Sequence, residues 1–179
     1  MKMPTLKPKP ARNVRWQKPE EGWFKVNTDA AFDQGSCTGR ARVVIRDHQG
    51  RIQAVAARWF DDVPDPLTAE ALVAKEGIEL ALEIGCERVV LEVDSKMLHD
   101  SLQSSNSERT AIGGLCFDII ELVRSISDFK IHWVCREANS VADHCAQLVS
   151  ASERYFFWVD DVPEWLLGLA TADCTPNHD

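Results

Sequence analysis

The chain has 179 residues, 45% of them hydrophobic and 27% charged, with a formal net charge of −8. That length suits one domain with its own core plus some tail. No apolar run is long enough to span a bilayer, and the N-terminus lacks a signal peptide's apolar stretch. The expectation is therefore a soluble, intracellular monomer of the nucleus or cytoplasm, with no membrane contact. The six cysteines, Cys37, Cys86, Cys116, Cys135, Cys145 and Cys174, include no Cys-x-x-Cys pair. Free thiols are expected rather than a zinc site or a disulfide framework.

Charge is unevenly placed. Residues 1–18 carry Lys2, Lys7, Lys9, Arg12, Arg15 and Lys18 with no acid, and the remainder has a balance of −14. Pro4, Pro8, Pro10 and Pro19 accompany these charges, which describes an extended arm over 1–21. A solvated linker is the plainer account of it; an arm that meets nucleic-acid phosphates is the other. The globular domain is expected over 22–170, and 171–179 reads as a frayed terminus.

From Trp23 onward a strand pattern begins. Phe24, Val26, Thr28, Ala30 and Phe32 share one face, while Lys25, Asn27 and Asp29 share the other. Arg40–Arg46 reads as a second strand, Asp47-His48-Gln49-Gly50 as a turn, and Arg51–Phe60 as a third strand, giving an antiparallel meander. Asp65-Pro66 is a helix start, with Asp as N-cap and Pro at the first helical position. Leu67, Ala71, Ala74, Ile78 and Leu82 form the apolar stripe of that helix, and Gly85 ends it. Val89–Val93 suits a strand buried on both faces. Ser95 is placed to cap a short helix to Gln103. A longer helix is expected over Glu108–Ser127, a fifth strand over Phe129–Cys135 and a last helix over Asn139–Val149. The aromatic run Tyr155–Val159 is expected to pack back onto the domain, since an exposed strip of that kind invites aggregation. The whole describes an α/β fold, a mixed sheet flanked by helices.

Four acids occupy special places in this scheme: Asp29 in the first strand, Glu70 in the second turn of the first long helix, Asp94 at the end of the buried strand and Asp143 near the start of the last helix. Converging carboxylates suit a hard divalent cation, which prefers oxygen ligands. Read alone, Asp29 fits a solvent-facing strand position at least as well as a ligand, and Asp143 fits a solvated helix face. Glu70 is more telling. It falls in a row with Ala74, Gly77 and Ala81, small residues that let a helix approach a sheet closely. Asp94 ends a strand that leads into a helix, at the sheet edge where open α/β folds bind ligands. The five histidines have no metal spacing, and no phosphate loop, nucleophile elbow or dinucleotide fingerprint is present.

Five segments then occur in order: Lys25-Val26-Asn27-Thr28-Asp29-Ala30-Ala31, Val44-Ile45-Arg46-Asp47-His48-Gln49-Gly50, Ala69-Glu70-Ala71-Leu72, Leu91-Glu92-Val93-Asp94-Ser95 and Arg136-Glu137-Ala138-Asn139-Ser140-Val141-Ala142-Asp143. Together they resemble the type 1 ribonuclease H domain, in the version found in plant non-LTR retrotransposons and related plant proteins. The resemblance implies a five-stranded mixed sheet, three antiparallel strands and then two parallel ones, with helices on both sides. It implies an endonuclease that hydrolyses the RNA strand of an RNA–DNA hybrid with two Mg2+ (or Mn2+) ions. Asp29, Glu70, Asp94 and Asp143 would be both catalytic residues and metal ligands. Asn27, Arg40, Arg42, Ser95 and Asn139 would meet the nucleic acid.

The chain departs from the family pattern at Asp29-Ala30, where Asp-Gly is common, and at Gly39-Arg40-Ala41-Arg42, where glycines are usual. It also lacks a histidine in the shortened segment Val134-Cys135-Arg136-Glu137. With no basic insertion and an acidic body, weak and salt-sensitive hybrid binding is expected. Two readings stay open at this point: a metal-dependent hybrid ribonuclease, and a catalytically weak or inactive module that binds nucleic acid or a protein.

Overall fold

The computed structural model describes residues 16–104, 110–134 and 149–168. Its elements are β1 (Phe24–Asp33), β2 (Thr38–Arg46), β3 (Ile52–Phe60), α1 (Pro66–Glu83), β4 (Arg88–Val93), α2 (Lys96–Gln103), α3 (Gly113–Val123), β5 (Asp128–Trp133) and β6 (Tyr155–Val159). They build one sheet in the order β5-β4-β1-β2-β3-β6. β1, β2 and β3 pair antiparallel, while β4 pairs parallel with both β1 and β5.

Local chemistry accounts for many of the boundaries. The β2–β3 turn is wrapped around Asp47, whose Oδ1 accepts from the backbone N–H groups of Gln49 and Arg51, and Gly50 supplies the left-handed residue at φ +83°. Asp65 caps α1 by accepting from Thr68 N–H at 2.7 Å, with Pro66 at the first helical position. The chain leaves α1 through Gly85 at φ +77°. Ser95 caps α2 by accepting from Leu98 N–H at 3.2 Å.

The sheet separates two cores. On one face α1 and α3 bury Val26, Val43, Ile45, Ile78, Leu91, Cys116 and Ile119. On the other face Val44, Ile52 and Val55 pack with Val162, Leu166 and Trp158. The small-residue row of α1 has the anticipated purpose. A Cβ added at Gly77 would stand 2.9 Å from both Thr28 Cγ2 and Val26 Cγ1, so only glycine lets the helix lie this close to β1.

Three expectations need correction. The sheet has six strands rather than five, because Tyr155–Val159 packs back by pairing antiparallel with the outer edge of β3. That pairing satisfies backbone groups the edge would otherwise expose. The helix expected over 108–127 is described only from Gly113 to Val123, and its start carries no side-chain cap. Lys25, Asn27 and Asp29 do not form a solvated strand face: each is buried, with Asp29 only 2% exposed. The last helix, over 139–149, lies outside the described residues except for Val149, as do the arm before Trp16 and the C-terminal residues after Gly168.

Candidate metal centre

The ladder between β1 and β4 ends at Asn27↔Glu92. Asp29, within β1, and Asp94, just past the end of β4, stand two residues beyond that last pair, where the β1–β4 ladder has ended. The start of α1 brings Glu70 to the same opening. One carboxylate oxygen from each of Asp29, Glu70 and Asp94 lies within 4.8 Å of the others. Asp29 is buried, and Glu70 and Asp94 are half-buried. Three oxygen donors from three separate elements match what a hard divalent cation such as Mg2+ or Mn2+ takes, with no nitrogen or sulfur donor in the set.

Neighbouring contacts fix these acids. Ser95 makes the cap of α2, so Asp94 is not needed for that purpose. Trp133, at the end of β5, donates its indole N–H to the Asp94 backbone carbonyl at 3.1 Å and remains 53% exposed beside the opening. Asp29 faces Arg42 directly across the β1–β2 ladder, and Arg42 Nη2 lies 2.7 Å from Asp29 Oδ2 with both side chains buried.

One step back along β1, the same sheet face carries a buried polar network. Lys25 Nζ lies 2.6 Å from Glu92 Oε1, and the Asn27 amide donates to the other Glu92 oxygen. Arg46 donates to Asn27 Oδ1 at 3.3 Å and stacks its guanidinium 3.8 Å from the centre of the Trp16 ring. The network joins β4, β1 and β2 just below the acid cluster.

The residues expected to meet nucleic acid divide into different settings. Arg40 is exposed and lies over the Trp59 ring at 5.2 Å. Ser95 is half-buried in its capping position. Asn27 and Arg42 are turned inward, into the network and onto Asp29. Asn139 and Asp143, the fourth expected ligand, lie outside the described residues. Among the described thiols, Cys86 and Cys116 are buried and poor nucleophiles, burial pushing Cys86 up to about 12 and Cys116 above its ordinary range.

Sequence reasoning missed Glu92, Arg46 and Trp16 as partners of β1, and Arg42 as partner of Asp29. The signal for the last was present. A four-residue connection between Asp33 and Thr38 sets Asp29 opposite Arg42 by counting back along the hairpin. The signal for Glu92 was a lone charge within the apolar run Val89–Val93.

Residues 27–149 match the family model described as reverse transcriptase-like. The chain belongs to this family. It carries a ribonuclease H-like domain of the reverse transcriptase-like family. A protein of Arabidopsis thaliana, carried under the provisional name of a ribonuclease H protein, is 30% identical over 172 residues; the alignment covers 93% of this chain and 27% of that protein. This chain thus spans about a quarter of the length of that relative. Among solved structures, ribonuclease H1 of the archaeon Halobacterium salinarum superposes with a TM-score of 0.62 at 19% identity, covering 70% of this chain and 95% of that one. The N-terminal ribonuclease H domain of a Mycobacterium tuberculosis protein gives 0.63 at 16% identity, covering 70% and 91%. LC11-RNase H1, solved in complex with an RNA/DNA hybrid, gives 0.62 at 15% identity, covering 70% and 95%. These likenesses establish the ribonuclease H fold for this member of the family. No helix among the described residues is long and apolar enough to cross a membrane.

Proposed function

We propose that this chain is a metal-dependent endonuclease that hydrolyses the RNA strand of RNA–DNA hybrids, in a plant setting related to retrotransposon reverse transcription. The observation that carries the reading is the convergence of Asp29, Glu70 and Asp94 within 4.8 Å at the opening between β1 and β4. Membership of the reverse transcriptase-like family and the Arabidopsis relative's name support the substrate class.

In this reading Asp29, Glu70 and Asp94, with Asp143 as the fourth ligand, would hold two Mg2+ or Mn2+ ions. The chemistry such ions would supply is activation of a water and stabilisation of the charge that develops in an in-line displacement. The protein's own residues then do the positioning. Trp133 anchors the backbone at Asp94, and the Lys25–Glu92–Asn27 network holds β1 and β4 in register directly below the acids. Rigid support of this kind keeps charged ligands at productive spacing. Arg40, exposed over Trp59, is the described arginine best set to meet a phosphate. Discrimination for RNA would come from contacts to its 2′-hydroxyls.

A second reading, a module that binds hybrid without cutting, is favoured by one observation: Arg42 already sits on Asp29. A labelled RNA–DNA hybrid, offered beside duplex DNA and duplex RNA with Mg2+ or Mn2+ at low salt, separates the two. The nuclease reading expects the RNA strand of the hybrid alone to be cut, and cutting to stop with a chelator. Retention of intact hybrid at high protein concentration, with either ion present, would make the binding module the right description.

A further inference from the structure

We infer that Arg42 is a built-in cation that competes with divalent metal at Asp29 and so raises the metal concentration the centre needs. The inference rests on the metal-centre reading above and assigns a role within it.

The argument begins with register. Asp29 and Arg42 are direct partners in the antiparallel β1–β2 ladder, so their side chains leave the same face of the sheet side by side. Arg42 Nη2 lies 2.7 Å from Asp29 Oδ2, the distance of a charge-assisted hydrogen bond. Arg42 is 6% exposed and Asp29 2%, so water screens the pair little. The Asp29 carboxylate is also one of the three whose oxygens converge within 4.8 Å. A guanidinium and a divalent ion would therefore draw on the same carboxylate, in the same weakly screened space.

Other nearby basic residues are differently committed. Lys25 pairs with Glu92, Arg46 stacks on Trp16 and contacts Asn27, and Arg40 lies over Trp59. Arg42 has its ion pair to a member of the acid cluster. An arginine remains protonated throughout the working range, so pH cannot relieve the competition as it would for a histidine. A metal entering the centre must either displace the guanidinium from Asp29 or bind beside a positive charge. Each route weakens binding relative to a site without Arg42. The same contact stabilises the metal-free protein, because it neutralises a buried carboxylate that lies among like charges.

The test is Mg2+ titration by calorimetry into the full chain without nucleic acid, comparing wild type with Arg42→Gln and Arg42→Lys. Glutamine keeps a hydrogen-bonding side chain, shorter than arginine's, while removing the charge. Arg42→Gln is expected to bind Mg2+ at least about fivefold more tightly than wild type, in the range of ordinary coupling between linked sites. Arg42→Lys, which keeps the charge, is expected to stay close to wild type. Without metal, Arg42→Gln is expected to melt below wild type, and Mg2+ is expected to raise its melting temperature by more than it raises that of wild type. Should the variant not fold, the wild-type chain still decides: the Arg42 guanidinium N–H signal in its NMR spectrum must move as Mg2+ saturates the centre. Equal affinities for wild type and Arg42→Gln, or an unmoved Arg42 signal at saturation, would overturn the role of Arg42 and leave the metal centre standing. If neither chain binds Mg2+, the metal-centre reading itself fails and this inference falls with it.

Discussion

β1 passes through two buried polar sites that are only two residues apart, and they resolve charge in different ways. Around Asn27 the strands are still laddered, and Lys25, Glu92, Asn27 and Arg46 close on one another as a matched set. Around Asp29 the β1–β4 ladder has ended, and among the described residues three carboxylates gather, with Arg42 against Asp29. The first arrangement is what a structural network needs: Lys25 meets Glu92 as an ion pair, and Arg46 rests on the Asn27 amide oxygen and the Trp16 ring. The second sets carboxylates beside one another at an opening among the described residues, an arrangement that suits a cation. The end of the β1–β4 ladder is thus where a strand carboxylate meets other carboxylates instead of bracing the sheet.

This contrast can be broken by substitution, and the largest effect is expected at Asp29. Asp29→Asn neutralises one carboxylate of the acid cluster and removes the charge that faces buried Arg42. A fall in hybrid cleavage of about a thousandfold or more is expected, since metal-centred charge stabilisation is worth several kcal/mol. A lowered melting temperature should accompany it, and rate assays paired with thermal melts check both. Glu92→Ala strikes the other site. It strands Lys25, 8% exposed, without its partner, and urea unfolding should reveal a loss of about 3–5 kcal/mol. Mg2+ binding per folded molecule should survive that change, because Glu92 is a brace and not a ligand.

Smaller effects test how α1 delivers Glu70. Gly77→Ala forces a methyl against Val26 and Thr28 and is expected to cost about 1–3 kcal/mol by overpacking, measured by the same urea titration. If the helix is pushed outward, Glu70 moves with it and Mg2+ affinity drops too. Asp65→Ala removes only the cap and is expected to cost about 1 kcal/mol. An Asp65 variant that lost metal binding altogether would mean that Glu70 depends on the first turn of α1 more than on the packing at Gly77.

The parts of this fold legible in the sequence were those written in local chemistry. Asp65-Pro66, Gly85 and Ser95 mark helix boundaries because caps depend on a few neighbouring atoms. Gly77 was legible as a close approach because helical phase sets it in line with Glu70, Ala74 and Ala81. The pairing of Tyr155–Val159 with β3 was not legible as a strand, since it joins segments nearly a hundred residues apart and alternation in five residues cannot name a partner. Nor was the burial of Lys25, Asn27 and Asp29. Polar residues at period two describe a solvated face unless their cross-strand partners are known, and those partners sit on β2 and β4. For the site, spacing in the sequence singled out Glu70 and Asp94, whereas Asp29 joined them only through the ribonuclease H resemblance and then through the sheet geometry.

Asp94→Asn tests the central claim most directly, because Asp94 is half-buried and its variant leaves the Asp29–Arg42 pair and the Glu92 network intact. Wild type and variant would be compared on an RNA–DNA hybrid in Mn2+, with melting temperatures recorded beside the rates. The account predicts a variant that melts like wild type and no longer cuts the RNA strand. Cleavage by Asp94→Asn at the wild-type rate would contradict it.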